Sequence, residues 1–194
     1  MLSRTSRYLL AALQAILGWE WIMSAANKLA SGSFPQGLAG ALTDSFKGNP
    51  DDWYVVFLKQ VVLPNSTLFG YLIEWSELFV GIILISGALV LLTRPRVAGE
   101  PQHAMYVLYS VLVIFAAAVA AFQNINFHFF MGGWIVPTID PSGAYDEAID
   151  LEALLPLLLL VVIIANVALI QAMTGVQVIQ RAAHKTVPTP ASEG

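Results

Sequence analysis

Glu74 and Glu77 stand three residues apart inside an apolar run at 68–92, and Glu20 stands in the middle of another at 8–29. A carboxylate at membrane depth costs a few kcal/mol, so it faces a protein interior or a wet cavity and marks function. Glu20, Ser24, Asn27 and Ser31 follow one another in steps of four, three and four, which keeps them on one helical face. Lys28 follows Ser24 by one turn and sits at the edge of that face. Gly70, Glu74, Glu77 and Gly81 form the matching stripe of the second run, with glycines that let a neighbouring helix come close. At 1.5 Å per residue Lys28 lies about 12 Å above Glu20, which predicts a Lys28–Glu74 pair with Glu20 deeper, beside Glu77. A third run ends in Gln123-Asn124-Ile125-Asn126-Phe127-His128, and these side chains are expected at the same level.

Carboxylates, an ammonium, amides and an imidazole around a partly apolar pocket suit a small polar headgroup entering from the membrane, such as a quinone. The candidate proton-handling residues are Glu77, Glu20 and Glu74, since a buried carboxylate among others can hold a proton near neutral pH and act as donor or acceptor. Lys28, Asn27, Asn124, Asn126 and His128 are the ligand-binding candidates. The competing reading is a structural ion pair that fixes helix register. Three carboxylates against one lysine favour function over a simple pair. His103 and His128 fall at opposite ends of the third run, so one haem cannot use both. No metal site is expected. With no cysteine, disulfides, iron–sulfur ligation and thiol catalysis are excluded.

The elements that must position these residues are membrane spans. Mean hydropathy is +0.71, and 57% of the 194 residues are hydrophobic against 11% charged, outside the range of soluble globular domains. Four runs, at about 8–29, 68–92, 104–122 and 153–173, meet or approach the ~20 residues that cross a bilayer core. They predict an all-α fold: an integral membrane four-helix up-down bundle forming one domain over 1–186, with a disordered tail at 187–194. Arg4, Arg7, Arg94, Arg96, Arg181 and Lys185 fall on one side of the spans, which puts both termini in the cytoplasm. The opposite side carries most of the acidic residues. Arg4 and Arg7 before an apolar stretch resemble a signal peptide, but Glu20 and the length of the run argue for a retained span.

The first outer loop, 30–65, repeats apolar residues near helical spacing on both sides of Asn49-Pro50, which predicts one or two short amphipathic helices on the membrane surface. A second outer loop is expected from Gln123 to Asp150, with Gly132-Gly133 as a turn. Trp19, Trp21, Trp75 and Trp134 read as an interfacial belt.

With these motifs in view, the chain resembles the DoxX/DoxD-like family of small four-helix membrane proteins. The resemblance rests on Leu17-Gly18-Trp19 through Lys28-Leu29, on Glu77-Leu78-Phe79-Val80-Gly81 with Gly87 and Thr93-Arg94, and on Asn124-Ile125-Asn126-Phe127 with Gly132-Gly133. It covers about half of the chain. It implies that Lys28 and Glu77, and with them Asn124 and Asn126, occupy family positions. It also implies a subunit of a quinone-linked redox complex in a bacterial-type inner (plasma) membrane, without a covalent cofactor. The family includes a subunit of a thiosulfate:quinone oxidoreductase, but acidic outer loops argue against an anionic substrate arriving from that side. The alternative is a non-catalytic accessory or assembly subunit that docks other membrane proteins through its outer loops. Membrane lipid, other membrane protein subunits and quinone are the expected partners; nucleic acid is not.

Overall fold

A computed structural model describes residues 3–93, 100–133 and 151–186. Every regular element among them is helical: α1 (Arg4–Ser31), α2 (Phe34–Ser45), α3 (Asp52–Phe57), α4 (Ser66–Leu92), α5 (Glu100–Phe130) and α6 (Leu151–Thr186). Four helices are apolar and long enough to cross a membrane. The chain is a multi-pass membrane protein whose outward apolar side chains, among them Ile16, Leu72, Phe115 and Ile164, meet lipid.

The ends of the elements follow local chemistry. Ser3 caps α1 by accepting the Ser6 N–H at 3.0 Å. Gly32 ends α1 in the left-handed region at φ 65°, a conformation glycine adopts at no steric cost. Beyond Asn49-Pro50, α3 runs through a π turn (Leu58–Val62) and a 3-10 turn (Leu63–Asn65) straight into α4. The expected break at Asn49-Pro50 and the helical character of the first loop are therefore present. Asp51 occupies the N-cap position of α3 without a side-chain capping bond. Asn49 accepts the Asp51 N–H at 2.9 Å and donates to the Phe129 carbonyl at 2.9 Å, which ties the loop to the end of α5.

One boundary departs from the expectation. The third apolar run ends at 122, but α5 continues through the polar stretch to Phe130 and stops at Gly132, φ 77°. Polar side chains do not interrupt a helix whose backbone bonds continue, so Gln123 to His128 are distributed round a helix instead of gathered in a loop. Residues 134–150 and the expected tail at 187–194 lie outside the described residues.

The core is shared by all four long helices. Leu17 and Trp21 of α1, Val80 and Leu84 of α4, Val113, Ala116, Ala117 and Ala120 of α5, and Leu155, Leu159 and Val162 of α6 form one buried cluster. Trp21 thus belongs to the core and not to a belt, whereas Trp19 and Trp75 are exposed. A second apolar cluster at the end of α4 joins α2 to α3 and α5 through Leu38, Leu42, Tyr54 and Leu58, with Phe129 packed against it.

Candidate functional site

The site begins with two glycines. A Cβ on Gly81 would come 2.8 Å from the Ile22 nitrogen and 2.9 Å from the Gly18 carbonyl oxygen, so α1 and α4 touch backbone to backbone there. The pairs Gln14–Gly87, Gly18–Gly81 and Lys28–Glu77 show that the two helices run antiparallel. From that crossing Ser24 lies about 9 Å along α1 and Glu77 about 6 Å along α4 in the same direction.

Lys28 pairs with Glu77, not with Glu74. Its Nζ lies 2.8 Å from Glu77 Oε2 and donates to Ser24 Oγ, also at 2.8 Å. Ser24 Oγ donates in turn to the same carboxylate oxygen at 3.1 Å, which closes a triangle. The expected Lys28–Glu74 pair assumed that side chains project level with their Cα atoms. Helical side chains lean toward the N-terminus of their own helix. On antiparallel helices Lys28 therefore leans back toward Ser24 while Glu77 leans out to meet it, and Glu74 leans past. Glu74 is buried but remains outside the triangle.

Aromatic rings close the other side of the ammonium: the Phe34 centroid lies 5.3 Å from Nζ and that of Phe127 5.9 Å. Such cation–π contacts strengthen when water is excluded. Phe34 is carried there by α2, whose Pro35 packs onto Gly70 of α4 where any Cβ would collide. The side chain of Lys28 is 20% exposed and that of Glu77 is fully buried.

Several buried polar atoms have no hydrogen-bond partner among the described residues: Glu77 Oε1 in the lock itself, and Glu20 Oε2, Trp21 Nε1 and Asn124 Nδ2. Asn124, 4% exposed, lies one turn from Phe127 on the inward face of α5 that Val113, Ala116, Ala117 and Ala120 define. Glu20 is in electrostatic reach of Glu77, Lys28 and also Glu152 of α6. The carboxylate oxygens are acceptors and the Trp21 and Asn124 groups are N–H donors, chemistry complementary to carbonyl and hydroxyl groups.

The structure divides the remaining candidates. Asn27 is exposed on α1 and takes no part in the lock. Asn126 donates to the Phe122 carbonyl at 2.7 Å and accepts the Tyr54 hydroxyl at 3.1 Å, so it fastens α3 to α5. His128 lies against Gly133 and the Phe129 ring, at the end of α5. Lys28 and Glu77 are joined directly, Glu20 lies within electrostatic reach of both, and Asn124 is buried one turn from the Phe127 that faces Lys28.

On the lipid side of the same level, α4 and α5 form a groove of about 410 Å³ lined by Leu68, Tyr71, Leu72, Trp75, Phe79 and Phe115. Its polar spot is Ser76, which accepts a hydrogen bond from Gln123 Nε2 at 2.7 Å. Ser76 and Gln123 are the sequence neighbours of Glu77 and Asn124, so the groove and the lock back onto the same two helical turns.

Sequence reasoning missed Glu152 because it sits at the edge of the last apolar run, where a carboxylate costs little. It also missed the buried amides Gln14 and Asn166. Their signal was present: each interrupts an apolar run, and Gln14 falls on the three-and-four spacing of Leu10, Leu17, Trp21 and Ala25.

The chain matches no protein-family model, no curated protein and no solved structure.

Proposed function

We propose that this protein is a DoxX/DoxD-like membrane subunit of a quinone-linked redox complex, folded as an up-down bundle in a bacterial-type inner membrane with both termini cytoplasmic. The observation that carries the reading is the separation of two carboxylates. Glu77 is engaged by Lys28 and Ser24 through Oε2, whereas Glu20 Oε2 is buried with no hydrogen-bond partner among the described residues. In this assignment Lys28, Ser24 and Glu77 hold α1 to α4, and Glu20 takes over from Glu77 as the carboxylate that exchanges a proton with the ligand. A quinone fits the donor set: its carbonyl oxygens need N–H donors, which Asn124 and Trp21 offer, and its reduced form needs a proton partner, which Glu20 offers. A bound quinone would supply the two-electron chemistry, with the electrons coming from a partner subunit, since the chain has no redox cofactor motif of its own. The groove over Ser76 has the volume and apolar lining of a small-molecule site reached from lipid.

The accessory-subunit reading is favoured by a different observation: Trp53, Val56, Phe57 and Val61 form an exposed apolar row, available to a membrane surface or to another subunit. Mass spectrometry of the gently solubilised assembly, with lipid extraction, separates the two. A quinone that co-purifies in stoichiometric amount supports the first. Larger partners retained without quinone would replace it with the second.

A further inference from the structure

At the end of the bundle opposite α2 and α3, three helices bury polar side chains that the proposed quinone site does not use. Gln14 of α1 is 0% exposed, and neither its Oε1 nor its Nε2 has a partner among the described residues. Ser110 of α5 is 4% exposed and Asn166 of α6 is 2% exposed. Asn166 gives its Nδ2 to the Val162 carbonyl at 2.8 Å, a bond within its own helix that leaves its carbonyl oxygen without a donor. Ser110 Oγ has no bond to any described residue. Both residues line a cavity of about 10 Å³ together with Gly87, Val113, Tyr106 and Tyr109.

The size and chemistry of this cavity define its occupant. A cavity of roughly 10–15 Å³ measured this way holds one water, which needs two to four polar partners. Ser110 Oγ and Asn166 Oδ1 are two. Gln14 does not line the cavity but lies next to Gly87, which does: a Cβ on Gly87 would stand 3.1 Å from Gln14 Oε1, so only the bare glycine backbone lies between the amide and the cavity wall. Nothing larger fits, and none of the residues that line the cavity is charged.

We propose that this end of the bundle contains an internal hydration site, in which one water bound by Ser110 and Asn166 beneath Gly87 ties α5 to α6 beside the amide of Gln14. Leu17, Leu84, Leu159 and Val162 belong to one buried apolar cluster, which in this proposal forms a dry layer between the site and the Lys28–Glu77 lock. The membrane interior of the protein therefore has two polar levels with an apolar septum, which bars a continuous water path between them.

Water-edited solid-state NMR on the full chain in bilayers tests this. Magnetisation transfer from water to the Asn166 side-chain amide is expected at short mixing times, with none to the Leu159 methyls. Ser110→Val, which removes one partner and fills the space, is expected to abolish the Asn166 transfer while the Leu159 and Val162 shifts hold. Should that variant fail to fold, Ser110→Ala provides the comparison and is expected to weaken the transfer. An Asn166 amide as dry as Leu159 in the wild type overturns the proposal, as does transfer unchanged by either substitution. Equal transfer to Leu159 would overturn the septum.

Discussion

At the scale of single residues, the lock depends on a lysine that has one carboxylate within bonding distance among the described residues. Removing Lys28 leaves Glu77 buried with its charge uncompensated, and breaking such a pair from one side costs about 3–5 kcal/mol. Lys28→Met is therefore expected to lower the melting temperature in detergent markedly, and Glu74→Gln to leave it near wild type. The double variant Lys28→Met/Glu77→Met should recover most of the loss, because two apolar side chains leave no charge stranded. A double variant no better than Lys28→Met would mean that the pair is not what the single substitution breaks. The identities of Lys28, Glu20, Glu77 and Asn124 as inward polar residues were legible in the sequence, since helical period and apolar runs fix which face each occupies. The partner of Lys28 was not. It depends on the direction in which side chains lean and on the level at which α1 and α4 cross, and the crossing is a tertiary contact between glycines.

Those glycines set the scale of the elements. The stripe of Gly70 and Gly81 pointed to close approach, but not to what approaches: α2 reaches Gly70 through Pro35, and α1 reaches Gly81 through Gly18. Gly81→Ala drives a methyl group into backbone atoms, which cannot rotate away as a side-chain tip can. A cost on the order of 1–3 kcal/mol is expected for such overpacking. Gly37→Ala in α2, with nothing within 4 Å of the added carbon, is the matched control and should be neutral or slightly stabilising. Thermal unfolding of the two variants side by side checks this, and equal melting temperatures would contradict the backbone contact. The span ends were less legible than the spans. Hydropathy falls at 122 while α5 runs on to Phe130, because a polar side chain changes what a helix faces without stopping it. This extension carries Phe127 to Lys28 and Asn126 to Tyr54.

For the whole molecule, the proposed function requires an orientation of the four apolar helices. The excess of arginine and lysine at the chain ends and between the second and third spans supports cytoplasmic termini. The chain has no cysteine, so single-cysteine variants can be labelled without background. Thr43→Cys in α2 is expected to react with an impermeant maleimide in intact cells, and Ser6→Cys only after permeabilisation. The opposite pattern would invert the topology and move the polar site to the cytoplasmic half.

The division of labour between the two carboxylates is tested most directly by the quinone content of purified Glu20→Gln, measured with its melting temperature. Glutamine preserves size and hydrogen bonding but cannot exchange a proton or carry charge. The account predicts a melting temperature like that of the wild type together with loss of the co-purified quinone. A Glu20→Gln protein that keeps its full complement of quinone would contradict it.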